Sequence, residues 1–198
     1  MTSIRHRSRA GFTLVELLVG MSLALIVMTG VLSTFSFLGR NLARLAHQQK
    51  LETEARRTLA YFAEDVRMAT GFPIGSPPSN TAATFTLLTS AGTTTTAYNY
   101  YASATTVSGV SIPAGSLTRT TPSGGTPVIL LTNLLSFDFD YYDANDTAVT
   151  DFTNKVRSIK KVAMDFHSQT GRSADGTQAP VFPAASPRLT IRNKALLN

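Results

Sequence analysis

Glu16 is the only ionisable side chain between Phe12 and Gly39, and its neighbours are leucines and valines. A carboxylate in such a run is expensive in lipid, by roughly 2.5–3.5 kcal/mol at the bilayer centre and less toward its edge. It marks either a functional group with a counter-charge elsewhere or a glutamate resting at the headgroup boundary. Other chemistry is sparse. Asp138, Asp140, Asp143, Asp146 and Asp151 form an acidic cluster in which Asp143-x-Asn145-x-Thr147 with Asp151 loosely echoes a calcium loop. Such a loop wants glycine at its sixth position and a bidentate glutamate at its twelfth; this chain has Ala148 and Asn154 there. A solvated strand edge and turn accounts for the cluster better, and no metal site is expected. His6, His47 and His167 show no zinc spacing. Asp165 and His167 share a face of an expected strand, as a surface pair more readily than as two members of a triad. There is no nucleophile elbow, phosphate loop or dinucleotide fingerprint. Nothing places a nucleophile beside a base, so the chain does not read as an enzyme, and no catalytic residue or cofactor is expected. The absence of cysteine removes disulfides and thiolate chemistry, without arguing against an exported location.

The elements around Glu16 begin with a short basic leader, Arg5, Arg7 and Arg9, followed by Gly11. An ordinary secretory signal is cut at a small-residue site beyond its apolar region. Here the small residue precedes the apolar run, so a cut after Gly11 leaves that run on the mature chain. The run is longer than the ~20 residues that span a bilayer. The leader favours a cytoplasmic N-terminus, although Arg40 and Arg44 at the far end blur the charge asymmetry. Gly20 and Ala24 make a small-xxx-small pair, which permits close helix approach in lipid; glycine is also simply common in membrane helices. The net charge of +6 is partly the leader's. Without its three arginines the 18 basic residues fall to about 15 against 12 acidic ones, too mild an excess to argue for nucleic acid.

Helical periodicity continues past the apolar run. Leu38, Leu42, Leu45, Ala55, Leu59, Phe62, Val66 and Ala69 recur at three- and four-residue steps, with Gln49 and Glu52 in the same register. That is an amphipathic pattern. One helix from Phe12 to Ala69 is expected, about 87 Å at about 1.5 Å per residue, apolar all round at first and then striped. Gly71, Pro73, Pro77 and Pro78 end it. From Gly71 to Thr118 there is no charged side chain, and this Thr-rich stretch suits strands. Strands are expected at Thr84–Thr89, Thr95–Ala102 and Thr106–Ile112, with loops at Ser76–Ala83 and Pro113–Ser116. Leu135, Phe137, Phe139 and Tyr141 alternate with Ser136, Asp138 and Asp140, a period-two pattern. Val162, Met164 and Phe166 alternate likewise, as do Leu189 and Ile191. The stretch Ser168–Pro187 reads as a loop. The fold class is therefore α+β: a long N-terminal helix, with a membrane half and an amphipathic half, packed on an antiparallel β-sheet domain.

Gly11-Phe12-Thr13-Leu14-Val15-Glu16-Leu17-Leu18, preceded by the leader arginines, resembles the N-termini of type IV pilin and type II secretion pseudopilin precursors. The resemblance implies division into a leader at 1–11, a transmembrane and filament-core helix at 12–39, an amphipathic helix at 40–70 and a β-rich periplasmic domain at 71–198. It implies cleavage between Gly11 and Phe12 by a prepilin peptidase, then N-methylation of Phe12. The freed amine is mostly cationic at neutral pH and stays so when methylated. In a filament, a neighbour's Phe12 amine would meet Glu16 where solvation is poor, so Glu16 would set the assembly register. Many pilins carry a mid-helix proline and a disulfide; this chain has neither and must rely on its core. Arg56-Arg57-x-Leu59 through Glu64-Asp65-Val66-Arg67-Met68-Ala69, with Ser116-Leu117-Thr118-Arg119, Leu134–Tyr142 and Ile191-Arg192-Asn193, resembles J-type minor pseudopilins and W-type minor pilins. That implies a minor subunit near a filament tip. It would be single-pass in the inner membrane, N-terminus cytoplasmic and C-terminal domain periplasmic, before entering a pilus or pseudopilus. Its partners would be the peptidase and methyltransferase, sibling minor and major subunits, and the inner-membrane assembly platform. Secretion and pilus systems are not separated by these residues. The alternative is a membrane-tethered periplasmic binding or adhesion domain that uses a prepilin leader.

Overall fold

The structure is a computed structural model, and it describes residues 13–73, 76–90, 92–169 and 181–192. The leader arginines, His6, Gly11, Phe12 and Asn193 lie outside the described residues. The chain divides into two compact units at His47 and Gln48, and helix α1 (Leu14–Met68, 55 residues) contributes to both. In the first unit the apolar side chains of the run are exposed all round. This stretch is long and apolar enough to cross a membrane. Its hydroxyls bond back to helix carbonyls: Ser22 Oγ donates to Val19 O at 2.9 Å, Thr29 Oγ1 to Leu25 O at 2.8 Å and Thr34 Oγ1 to Gly30 O at 3.0 Å. Each polar group is thereby satisfied locally, the requirement lipid imposes.

In the second unit the buried face of α1 is Leu51, Ala55, Thr58, Phe62, Asp65 and Val66. The expected stripe began earlier, but Leu38, Leu42 and Leu45 are 50%, 57% and 53% exposed. Periodicity alone identified a face and not what covers it. The helix stops at Met68 because Ala69–Gly71 become strand β1, pairing with β2 (Ala82–Thr89). An antiparallel five-stranded sheet follows in the order β1-β2-β3-β6-β7, with β3 Gly92–Tyr101, β6 Ser116–Thr120 and β7 Val128–Leu131. In place of one strand at Thr106–Ile112 there is a hairpin, β4 (Thr105–Val107) with β5 (Val110–Ile112). Ser108 and Gly109 have φ of 49° and 79°, and two positive values in a two-residue loop make the turn that matches strand twist.

The second sheet is built on β9 (Lys161–Gln169), with β8 (Leu134–Tyr142) on one side and β10 (Val181–Ala185) and β11 (Leu189–Thr190) on the other. Two expectations change here. The register shifts between Leu134 and Ser136, so Leu134 is buried and Leu135 is 54% exposed; a bulge adds one residue and turns the strand's first side chains over. Part of the expected loop at Ser168–Pro187 is strand β10. Its Pro183 is tolerated because β10 is an edge strand.

The core joins α1 to both sheets through rings. Phe62 meets Tyr98 at 5.6 Å between centroids, Phe139 at 5.7 Å and Phe85 at 6.0 Å. Phe137 stands edge-on to Phe139 at 4.8 Å, and Tyr141 to Phe152 at 5.1 Å. Gly115 is fixed by crowding as well as by its φ of 66°: a Cβ there would lie 2.6 Å from the Leu134 carbonyl oxygen.

Candidate functional site

The helix begins at Leu14, with Thr13 outside it. Leu17 N donates to Thr13 O at 3.2 Å, the first helical bond. The Thr13 N–H and the Thr13 Oγ1 hydroxyl both donate to Glu16 Oε2 at 3.0 Å, and Glu16 N–H donates back to Thr13 Oγ1 at 3.3 Å. This is a capping box, in which the first and fourth residues of a Thr-x-x-Glu satisfy each other's orphan amides. The sequence carried that signal at Thr13, and the reading of Glu16 as a lone charge passed over it. Beside the box, Gly20 and Ala24 leave a shallow groove bounded by Glu16, Leu17 and Met21. A Cβ at Gly20 would meet no atom within 4 Å.

The residues with calcium-like spacing are occupied in holding turns. Asp143 Oδ1 accepts the N–H groups of Asn145 (2.8 Å) and Thr147 (2.9 Å), and Asp151 Oδ1 accepts those of Thr153 and Asn154 (both 3.1 Å). Asp146 pairs with Lys161 Nζ at 2.7 Å and Arg188 Nη1 at 3.3 Å. The hydrogen bond from Lys161 holds the Asp146 carboxyl below its ordinary range, with Arg188 adding to it. His167 Nδ1 lies 2.9 Å from Ser136 Oγ.

Asp65 entered the sequence reading only as part of the helix-end pattern and not as a site residue. It is 1% exposed, on the buried face of α1. Arg119, on β6, grips it with two bonds, Nε to Oδ2 at 2.7 Å and Nη2 to Oδ1 at 2.9 Å. Tyr98 Oη donates to Asp65 Oδ2 at 2.5 Å. The Arg119 guanidinium also stands 5.6 Å from the Tyr61 ring centre. The i+3 offset of Asp65 from Phe62 was the available signal. Burial, reinforced by the Asp65 charge, pushes the Tyr98 hydroxyl well above its ordinary value, and burial does the same for Tyr141 beside Asp140. In the unfolded chain both ionise near 10. Above that pH the unfolded chain has released protons that the folded one keeps, so stability must fall as pH rises. The full contribution is present below about pH 10, and each tyrosine removes up to about 1.4 kcal/mol per further pH unit. Urea midpoints between pH 8 and 11 should show this decline, and Tyr98→Phe should flatten it.

Residues 6–32 match the family model of the prokaryotic N-terminal methylation motif. This is a prepilin-type leader. Type IV pilins and pseudopilins carry it, and it implies processing by a prepilin peptidase and assembly with other pilins. The α+β architecture, with one long N-terminal helix before an antiparallel β-sheet domain, is consistent with a pilin-like fold. The family is generally structural in role. No curated protein and no solved structure matches the chain.

Proposed function

We propose that this protein is a minor pilin or pseudopilin subunit, cut between Gly11 and Phe12, methylated at Phe12 and registered in its filament by Glu16. It is inserted in the inner membrane with its N-terminus cytoplasmic and its β-rich domain periplasmic. It then enters the tip region of a type IV pilus or a type II secretion pseudopilus, priming assembly and supporting secretion. One observation carries this reading: the methylation motif at 6–32 overlaps a helix whose apolar half is exposed among the described residues. Such a helix belongs in lipid or among other helices. No cofactor or nucleic acid enters the proposal.

The test uses a strain lacking this protein, in which secreted proteins and sheared surface filaments are measured side by side. Loss of secretion with pili intact makes it a J-like pseudopilin. Loss of pili with secretion intact makes it a minor pilin. If neither changes, the membrane-tethered binding domain takes its place. The mass of the mature chain is read alongside, and retention of residues 1–11 would sink the cleavage assignment.

A further inference from the structure

The chain holds a single Asn-x-Ser/Thr triplet, Asn145-Asp146-Thr147. It lies in the stretch whose spacing loosely echoes a calcium loop. The chain doubles back here just beyond β8: Asp143 N–H donates to Thr147 O at 3.0 Å, Val149 N–H donates to Tyr141 O at 2.8 Å, and Tyr142 bridges to Ala148. The turn is held by its acids. Asp143 Oδ1 takes the Asn145 and Thr147 amides from inside it, an aspartate bonding its own backbone two residues on. Asp146, at a φ of 64°, sends its carboxylate back to Lys161 and Arg188. Residues 144–148 are exposed, and the Asn145 side-chain amide makes no hydrogen bond among the described residues. The turn is therefore rigid in its backbone, while its asparagine side chain does no structural work.

We infer that Asn145 is an acceptor for an N-linked glycan. An Asn-x-Thr on a surface loop of an exported chain has the chemistry for it. The donor is an oligosaccharide carried on a polyprenyl diphosphate, and the partner is a membrane-bound glycan transferase acting on the periplasmic side. Asn145 Nδ2 attacks the anomeric carbon. The bond from that carbon to the phosphate oxygen breaks, and the lipid diphosphate leaves with the electron pair. One Nδ2 proton passes to a base of the transferase. Nothing is oxidised or reduced. The amide lone pair is delocalised into its carbonyl, as in a peptide bond, so the transferase has to grip and turn the group. It can do so here without breaking any bond of the domain. The Thr147 hydroxyl two residues on is the other part of the acceptor signal. The inference rests on the periplasmic placement proposed above.

The experiment is the intact mass of the full-length protein purified from its own cells, as wild type, Asn145→Gln, Thr147→Val and Thr147→Ser. Protease accessibility of the β-rich domain in spheroplasts is read alongside. Wild type should exceed the mass of its processed chain by whole sugar residues, and peptide fragmentation should place them on Asn145. Asn145→Gln and Thr147→Val should lose the gain completely; Thr147→Ser restores the hydroxyl and should keep it. A wild-type mass with no sugar, on a domain that protease reaches, overturns the proposal and leaves the periplasmic placement standing. A gain that survives Asn145→Gln also overturns it, because the sugar is then carried elsewhere. A domain protected in spheroplasts would overturn the periplasmic placement, and the glycan site with it.

Discussion

Arg119→Met should destabilise the second unit by about 3–5 kcal/mol, the cost of stranding one member of a buried ion pair. The Asp65 side chain is 2% exposed, so it cannot recover solvation when the guanidinium goes. The Tyr98 hydroxyl remains, but one neutral donor does not replace two charged ones. Removing all three polar groups together, as Asp65→Leu with Arg119→Met and Tyr98→Phe, should recover most of the loss, because an apolar replacement of a buried pair is often near neutral. Chemical unfolding followed by tyrosine near-ultraviolet circular dichroism measures both variants. A cost below about 1 kcal/mol for Arg119→Met would mean that the pair behaves as a surface ion pair.

Glu16→Gln should leave insertion and processing intact and remove the chain from filaments. Glutamine serves a capping box as glutamate does, so the helix start is kept and only the charge is lost. A neighbour's ammonium would then be left among apolar side chains without a counter-charge, at about 3 kcal/mol or more. That corresponds to a fall in incorporation on the order of a hundredfold, read by blotting sheared filaments against the membrane pool. Normal incorporation of Glu16→Gln would mean that the register is set elsewhere, with Gly20 and Ala24 as the first positions to test.

The parts of this molecule legible in the sequence are those governed by short-range pattern. The helix showed in its period, and Phe137, Phe139 and Tyr141 in theirs. Val162, Met164 and Phe166 are all buried as their alternation requires. What escaped reading depends on partners far along the chain. Leu135 looked like the first member of its face until the bulge against β9 turned it outward. Pro183 disguised an edge strand as a loop, and the Ser108-Gly109 turn hidden in Thr106–Ile112 was a legible signal passed over. At Glu16 the charge was legible, and so was the Thr13 cap in principle. At Asp65 only the register was legible, because its partners stand 33 and 54 residues away.

That separation sets an order of events. Asp65 comes out of synthesis well before Arg119, the cation that pairs with it on the buried face of the helix. Until β6 arrives, the carboxylate has every reason to stay in water, and the aromatic face beside it cannot close. The apolar run can therefore settle in the bilayer while the rest of the chain is still uncommitted. A chain halted short of Arg119 would leave Asp65 without its guanidinium, so the ion pair also registers that synthesis has passed β6.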